Sequence, residues 1–218
     1  MIEVIPSILT NNTQELVDLL RQSEDKVDRV HVDIIDGQYS KNKTILPEAI
    51  LNVETNLKID FHLMVKNPTN WIEKCVRAGA DRVIGHIEMM ESQEEFVKKA
   101  QDLGVSVGLA LDLDTKVEEL DANILSDVDV VLVMSVPAGH GGQEFDERAI
   151  DKIKWLDEVR VRDDTPFKIC DDGGVVFEVT EKVHKAGADE VAIGRKLFVG
   201  DMEDNIEKYK RAAHLIRN

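Results

Sequence analysis

Short apolar runs rich in valine, isoleucine and leucine alternate along this chain with polar stretches whose hydrophobic residues recur at helical spacing. The apolar runs predict eight strands, near residues 2–9, 28–36, 58–64, 82–88, 106–112, 128–136, 166–172 and 190–194. The polar stretches predict eight helices, near residues 13–25, 46–53, 69–78, 92–103, 115–125, 146–160, 176–186 and 202–216. Runs such as DVDVVLVMSV lack polar alternation, which is typical of parallel strands covered on both faces by crossover helices.

Eight alternating units fit either an open doubly wound sheet or a closed barrel. Their similar lengths favour the barrel, so we predict a (β/α)8 TIM barrel of the α/β class. A near-repeat supports this fold, since RAGADRVIGH, from Arg77, is echoed by KAGADEVAIGR, from Lys185. In such a barrel, catalytic groups lie where the strands run into the following loops, at the C-terminal face.

Length and composition limit the possible partners and locations. The 218 residues show no linker-like stretch, which predicts a single domain over residues 1–218. A net charge of -16 argues against nucleic acid and anionic membranes as partners. No apolar run is long enough to span a bilayer, and the opening MIEVIPSIL is predicted to be a first strand rather than a signal peptide. Two distant cysteines, Cys75 and Cys170, are expected to be free thiols in a reducing cytoplasm.

The predicted second strand, HVDIIDG, carries His31 and Asp33 two positions apart. Side chains at this spacing point to the same face of a strand. An imidazole and a carboxylate side by side on a rigid strand suit metal coordination or proton transfer. The alternative for this motif alone is a buried pair in which each side chain satisfies the other.

Other predicted strand ends also carry side chains that suit catalysis or metal binding: Ser7, His62, His86, Glu88, Met134, Ser135, Asp171 and Asp172. Two imidazoles and two carboxylates from three strands can converge on one divalent cation, such as zinc, iron(II), manganese or cobalt. If Asp33 and Asp172 approach a bound sugar from opposite sides, one can remove a proton from carbon and the other can return a proton. The metal would act as a Lewis acid that stabilises the enediolate, so no redox cofactor is required.

Six spaced motifs occur in the order seen in ribulose-phosphate 3-epimerases, and the chain from Ile5 to about Phe198 resembles that family. The motifs are PSIL from Pro6, HVDIIDG from His31, FHLMVKNP from Phe61, GHIE from Gly85, VMSV followed by GHGGQEF, and DDGGV from Asp171. The resemblance implies a (β/α)8 barrel that interconverts D-ribulose 5-phosphate and D-xylulose 5-phosphate with one divalent metal ion.

The resemblance also assigns the metal ligands and the two acids. The ligands it implies are His31, Asp33, His62 and Asp172, with Asp33 and Asp172 as the catalytic pair. Asp171 should face the opposite way by strand parity, so Asp172 is preferred. His86 and Glu88 are left with two interpretations: a pair that orients His62, or a hydrogen-bonded histidine in the core.

Substrate-binding positions also follow from the resemblance: Ser7, Met64, Met134, Gly141, Gly142, Gly173, Gly174, Gly194 and Arg195. Ser7 corresponds to the active-site serine, and Met64 and Met134 to caps over the metal, with Ile35 at a third cap position. The glycines belong to turns whose backbone N–H groups hold phosphate in the family.

Three loops depart from the family pattern. Residues 137–142 read PAGHGG where the family usually has Asn-Pro-Gly-Phe-Gly-Gly, and Gly194 is followed by Arg195 where the family has Gly-Ser. The guanidinium can replace a lost hydroxyl donor or fill the pocket. The loop after the second strand, QYSKNKT, replaces a Phe-Val-Pro-Asn pattern and keeps only Asn42 and Thr44.

Several functions remain open at this point. The leading one is a metal-dependent epimerase of a ketose phosphate, and a close alternative is the same chemistry on a substrate such as allulose 6-phosphate. Decarboxylase or aldolase barrels resemble one another in Asp-x-Lys-x-x-Asp, which residues 60–65, DFHLMV, lack. A non-catalytic barrel that binds a ligand, such as a sugar phosphate, or a partner protein is the third class. The family resemblance also implies a homo-oligomer, a dimer or a hexamer.

Overall fold

A computed structural model describes residues 2–214, in which eight parallel strands close into one barrel in chain order. The strands are β1 (Glu3–Ile8), β2 (Arg29–Ile35), β3 (Lys58–Met64), β4 (Ala80–His86), β5 (Ser106–Leu111), β6 (Val130–Met134), β7 (Lys168–Asp172) and β8 (Glu190–Ile193). Because β8 pairs with β1, the sheet has no open edge. The predicted (β/α)8 barrel is confirmed; Met1 and residues 215–218 of the predicted domain lie outside the described residues.

Helices connect the strands on the outside of the barrel. They are α1 (Thr13–Ser23), α2 (Ile72–Arg77), α3 (Gln93–Asp102), α4 (Arg148–Asp163), α5 (Phe177–Ala186) and α6 (Met202–Ala213). A 3-10 turn, Pro68–Trp71, forms the first part of the helix predicted at 69–78. The last two residues of the helix predicted at 202–216 lie outside the described residues. Within residues 2–214, no helix has both the length and the apolar character needed to cross a bilayer.

Two of the eight predicted α-helices are wrong. At 46–53 only the 3-10 turn Pro47–Ile50 forms. The buried residues of this turn are Pro47 and Ile50. At 115–125 two 3-10 turns replace the helix, Val117–Glu119 and Ala122–Asp127. The side chain of Asp121 accepts a hydrogen bond from the backbone of Asn123, a local interaction that competes with helical hydrogen bonding.

The strand predicted at 82–88 is displaced toward the N-terminus. β4 ends at His86, and Glu88 lies in the 3-10 turn Ile87–Met89 that follows it. The near-repeat is confirmed as two equivalent turns, since α2 leads into β4 and α5 leads into β8 within a few residues.

Alternation along the strands separates an outer layer from the barrel interior. On β2, the side chains of Val30, Val32 and Ile34 belong to the apolar layer between strands and helices. Ile35 belongs to a second apolar cluster of inward-facing residues, together with Met64 and Met134. This parity places every second strand residue inside the barrel.

The N-terminal end of the barrel is closed by buried ion pairs. Arg82, on β4, is 3% exposed and contacts Asp60 and Glu190, which are fully buried. Arg29 also pairs with Asp60, and Lys168 lies 2.7 Å from Glu190. The catalytic face of a barrel lies at the other end, so we expect this network to stabilise the fold rather than to take part in catalysis.

Candidate metal centre

Strand register brings the predicted ligands to one level near the C-terminal face. Asp33 is paired with His62, and Ser7 is paired with His31. Across the barrel, Asp172 is the last residue of β7 and is paired with Met134. The side chains enter the interior because they share the inward parity of their strands.

These four side chains form one buried cluster, which we call the ligand cluster: His31, Asp33, His62 and Asp172. One ligand atom from each residue lies within 4.8 Å of those of the others. His62 Nδ1 lies 2.9 Å from Asp33 Oδ1 and 3.5 Å from Asp172 Oδ2. His31 Nε2 lies 3.4 Å from Asp33 Oδ1 and 3.6 Å from Asp172 Oδ2.

The donor set fits a divalent metal ion. His31 Nε2 is buried and has no hydrogen-bond partner among the described residues, although it faces both carboxylates. An orphaned buried nitrogen is costly, and a cation bound by the surrounding nitrogen and oxygen atoms would satisfy it. Two imidazoles with two carboxylates suit zinc, iron(II), manganese or cobalt.

The electrostatics of the cluster favour an ionised Asp33 and a protonated His62. Burial alone would raise the pKa of Asp33, but the polar contacts and charges of His31 and His62 outweigh burial and hold this pKa well below its usual range. Burial alone would lower the pKa of His62, but Asp172 and Asp33 raise it to about 9. The metal-free cluster therefore holds a proton on His62 that a metal ion would displace.

Ser7 contacts the ligand cluster, and three apolar side chains share the barrel interior with it. Ser7 Oγ donates to Asp33 Oδ2 at 3.0 Å, which fixes the orientation of that carboxylate. Ile35, Met64 and Met134 are buried in the inward apolar cluster. All three belong to the same apolar cluster. Ile35 follows Asp33 by two residues on β2, so both side chains point into the barrel.

His86 contacts the ligand cluster directly. Its Nε2 lies 2.9 Å from Nε2 of His62, and the two rings are stacked with centroids 5.0 Å apart. On the other side, its Nδ1 lies 3.1 Å from Glu88 Oε2 and 2.9 Å from the hydroxyl of Tyr39. Of the two sequence interpretations, the geometry favours a residue that orients His62.

Tyr39 and Asp112 were not singled out from the sequence. The Tyr39 hydroxyl lies 3.1 Å from Asp112 Oδ2, and Asp112 Oδ1 accepts from the backbone N–H of Ala138 at 3.1 Å. Asp112 therefore joins the loops that follow β2 and β6. The one signal in the sequence is the tyrosine of QYSKNKT at a position where the resembled family has phenylalanine.

The loop after β2 crosses the mouth of the barrel. Asn42 Nδ2 donates to the carbonyl of Gly139 at 3.1 Å, which links this loop to residues 137–142. Thr44 Oγ1 donates to the carbonyl of Asp33 at 2.7 Å and accepts from the N–H of Ile35 at 2.8 Å. The two family residues retained in this loop, Asn42 and Thr44, thus hold it against β2 and against the opposite loop.

The glycines predicted to bind phosphate lie in the loops after β6, β7 and β8. Gly141 and Gly142 are exposed, and a Cβ atom at either would meet nothing within 4 Å. Gly174 has a φ of +64°, and its Cβ would lie 2.5 Å from the backbone nitrogen of Phe145. Gly173 has a φ of +113°, so this turn requires glycine at both positions.

Gly194 and Arg195 lie beside that turn. Asp172 on β7 is paired with Ala192 on β8, so the loops that leave the two strands begin at the same level. Gly194 immediately precedes the 3-10 turn Arg195–Phe198. Arg195 and Lys196 are exposed, which leaves both cations on the surface near the C-terminal face.

The chain is similar in sequence to known proteins along most of its length. The sequence model of the ribulose-phosphate 3 epimerase family matches residues 3–198. The ribulose-phosphate 3-epimerase of Chlamydia pneumoniae is 36% identical over 82% of this chain and 81% of its own length. That of Bacillus subtilis (strain 168) is 34% identical over 91% of this chain and 93% of its own length.

A solved structure supports the fold alone. The 3-keto-L-gulonate-6-phosphate decarboxylase of Vibrio cholerae superposes with a TM-score of 0.70 and covers 98% of this chain and 97% of its own. Its sequence is only 11% identical, so the likeness concerns the barrel and not the chemistry.

Proposed function

The chain belongs to the ribulose-phosphate 3-epimerase family, and from this premise we propose that it inverts C3 of D-ribulose 5-phosphate to give D-xylulose 5-phosphate. The observation that carries the proposal is the presence of two carboxylates, Asp33 and Asp172, in one buried cluster at the catalytic face. Inversion at carbon requires a proton to leave one face of the sugar and another to arrive at the opposite face. A pair of carboxyl groups on different strands meets that requirement.

In the proposed mechanism, Asp33 and Asp172 exchange roles between the two directions of reaction. One carboxylate takes the proton from C3, which leaves an enediolate across C2 and C3. The other carboxyl group, protonated, then donates its proton to C3 from the opposite face, so the epimer forms with no net change in charge. Ser7, hydrogen-bonded to Asp33, would keep that carboxylate aimed at the substrate.

His31, Asp33, His62 and Asp172 would hold the metal ion. When bound, a divalent cation supplies Lewis-acid stabilisation of the negative charge that develops on the substrate oxygens. The buried side chains of Met64 and Met134, with Ile35, would exclude water from this side of the cluster. Zinc, iron(II), manganese and cobalt all suit the donor atoms, and metal analysis of the purified protein distinguishes them.

The phosphate group would be held at the other side of the mouth, by backbone N–H groups of Gly141, Gly142, Gly173, Gly174 and Gly194. Backbone donors bind an anion without a net positive charge, which matters in a chain of charge -16. Arg195 would add a side-chain contact to the same phosphate, since a guanidinium binds phosphate through two parallel hydrogen bonds.

The remaining parts of the proposal concern partners and location. A homo-oligomer, either a dimer or a hexamer, is expected for a member of this family, and sedimentation measures its size. Nucleic acid and membranes are not proposed as partners, given the acidic charge. Cys75 and Cys170 are buried free thiols, which supports a reducing, cytoplasmic location.

Proton NMR in D2O tests the reaction directly. With metal-loaded protein and D-ribulose 5-phosphate, we expect deuterium to enter at C3 while the C3 epimer appears. D-allulose 6-phosphate is run beside it, because Arg195 and the altered 137–142 loop change the phosphate end. Exchange only with allulose 6-phosphate would transfer the proposal to that substrate. No exchange with either sugar, at full metal occupancy, would refute epimerisation and favour a barrel that only binds sugar phosphates.

A further inference from the structure

A chain of polar contacts leads from the ligand cluster to the loop over the barrel mouth. It runs from His62 Nε2 to His86 Nε2 at 2.9 Å, and from His86 Nδ1 to both Glu88 Oε2 and the Tyr39 hydroxyl. His62 and His86 are fully buried, and Tyr39 is partly buried. In a neutral imidazole one nitrogen donates a hydrogen bond and the other accepts one. The partners in this series of contacts therefore determine which nitrogen of each histidine carries the proton.

The arrangement follows from the two ends. At one end, His62 presents Nδ1 to Asp33 and Asp172, so a metal ion there needs the lone pair of Nδ1 and leaves the proton on Nε2. That Nε2–H points at His86 Nε2, which must then accept. His86 consequently carries its own proton on Nδ1.

At the other end, two oxygens are placed to receive the proton of His86. Glu88 Oε2 lies 3.1 Å from Nδ1, while Glu88 Oε1 is already occupied by the backbone N–H of Asp112 at 2.7 Å. The Tyr39 hydroxyl donates to Asp112 Oδ2, so its oxygen faces His86 as an acceptor. Both ends of the chain therefore require the same direction of hydrogen bonding.

We propose that His86 is a positioning residue that keeps His62 in the tautomer with Nδ1 free for the metal ion, and that Glu88 and Tyr39 hold His86 in its matching tautomer. The inference rests on the proposed metal site but adds residues outside the ligand cluster. Tyr39, from the loop over the mouth, thereby contacts His86, the residue that orients the metal ligand His62. Partners of this kind typically change metal affinity by roughly 10- to 100-fold.

Three variants of the full-length protein test the inference through metal affinity, without any measurement of turnover. His86→Phe keeps a ring but removes both nitrogens, and we expect zinc to bind roughly 10- to 100-fold more weakly in competition with a chelating dye. His86→Gln places a side-chain oxygen near the position of Nε2, and we expect it to recover most of the lost affinity. His184→Phe is the matched control, because His184 lies on α5 and its Nδ1 contacts the carbonyl of Ala188, away from the barrel interior.

Nitrogen-15 NMR of the zinc-loaded wild-type protein provides a second readout. We expect His86 to carry its proton on Nδ1 and His62 on Nε2. A proton on Nε2 of His86 would overturn the inference, as would zinc affinity of His86→Phe equal to that of wild type. Equal weakening in His86→Phe and His86→Gln would also overturn it, since packing alone would then explain the loss. Failure of the wild-type protein to bind zinc, iron(II), manganese or cobalt would instead refute the metal site itself.

Discussion

Asp171 and Asp172 are neighbours in the chain, yet their side chains lie on opposite sides of β7. Asp172 reaches the ligand cluster, where its Oδ2 lies 3.5 Å from His62 Nδ1. Asp171 is fully buried outside that cluster, and its Oδ1 accepts a hydrogen bond from the hydroxyl of Ser135. Two chemically identical residues at consecutive positions therefore provide a controlled comparison between a site residue and a structural one.

Replacing Asp172 with Asn should remove most of the epimerase activity. The amide cannot take or return the C3 proton, and general acid–base groups of this kind contribute roughly 10²- to 10⁴-fold. Asp171→Asn makes the same chemical change one residue away and should retain activity within about tenfold of wild type, since Asp171 faces away from the cluster. The rate of deuterium incorporation at C3 measures both. Near-normal exchange in Asp172→Asn would refute its assigned role.

Asp171 should also make the stability of the protein depend on pH. Burial, opposed by Ser135 and assisted by the charge of Asp172, raises the pKa of Asp171 to about 8. Between pH 4 and pH 8 the folded protein then keeps a proton that the unfolded chain has lost, so the free energy of unfolding falls as pH rises. This group contributes a slope of up to about 1.4 kcal/mol per pH unit.

Asp171→Asn should abolish that contribution. Urea unfolding of the metal-free protein at pH 5 and pH 8 gives the difference in unfolding free energy between wild type and variant. We expect the variant to gain stability relative to wild type as pH rises. An equal difference at both pH values would mean that Asp171 titrates normally.

Periodicity and parity predicted much of this molecule. The apolar runs predicted the eight strands, eight alternating units of similar length predicted the closed barrel, and strand parity predicted that His31 and Asp33 share one face. Parity also separated Asp172 from Asp171 correctly. These features depend on local spacing, which a single sequence contains.

Features that depend on loop geometry were not predicted. The helix expected at 115–125 does not form. The Asp121 side chain accepts a hydrogen bond from the backbone N–H of Asn123, which competes with helical hydrogen bonding. The contact of Tyr39 with His86 joins residues 47 positions apart, from a loop whose path across the mouth has no sequence period. The hydrogen bond between Ser135 and Asp171 likewise depends on how β6 and β7 lie together.

The buried ion network at the opposite end of the barrel should be important for stability but not for catalysis. Arg82→Met would leave Asp60 and Glu190 buried with only their peripheral partners, Arg29 and Lys168. Removing one partner of a buried pair typically costs about 3–5 kcal/mol, and the remaining cations should keep the loss near the lower end. Lys168→Met is the control, because Lys168 is about half exposed and its loss should cost under about 1 kcal/mol. Equal urea midpoints for the two variants would contradict this account.

Arg195 offers the last test, on the phosphate end of the site. If its guanidinium contacts the phosphate, Arg195→Ala should lose a charged hydrogen bond worth about 1.5–3 kcal/mol, which is roughly a 10- to 100-fold weaker Kd. Lys196→Ala removes an adjacent exposed cation and should change the Kd far less. Calorimetric titration of both variants with D-ribulose 5-phosphate, at two salt concentrations, separates a specific contact from general attraction. Unchanged or tighter binding by Arg195→Ala would show that the side chain lies outside the phosphate pocket or obstructs it.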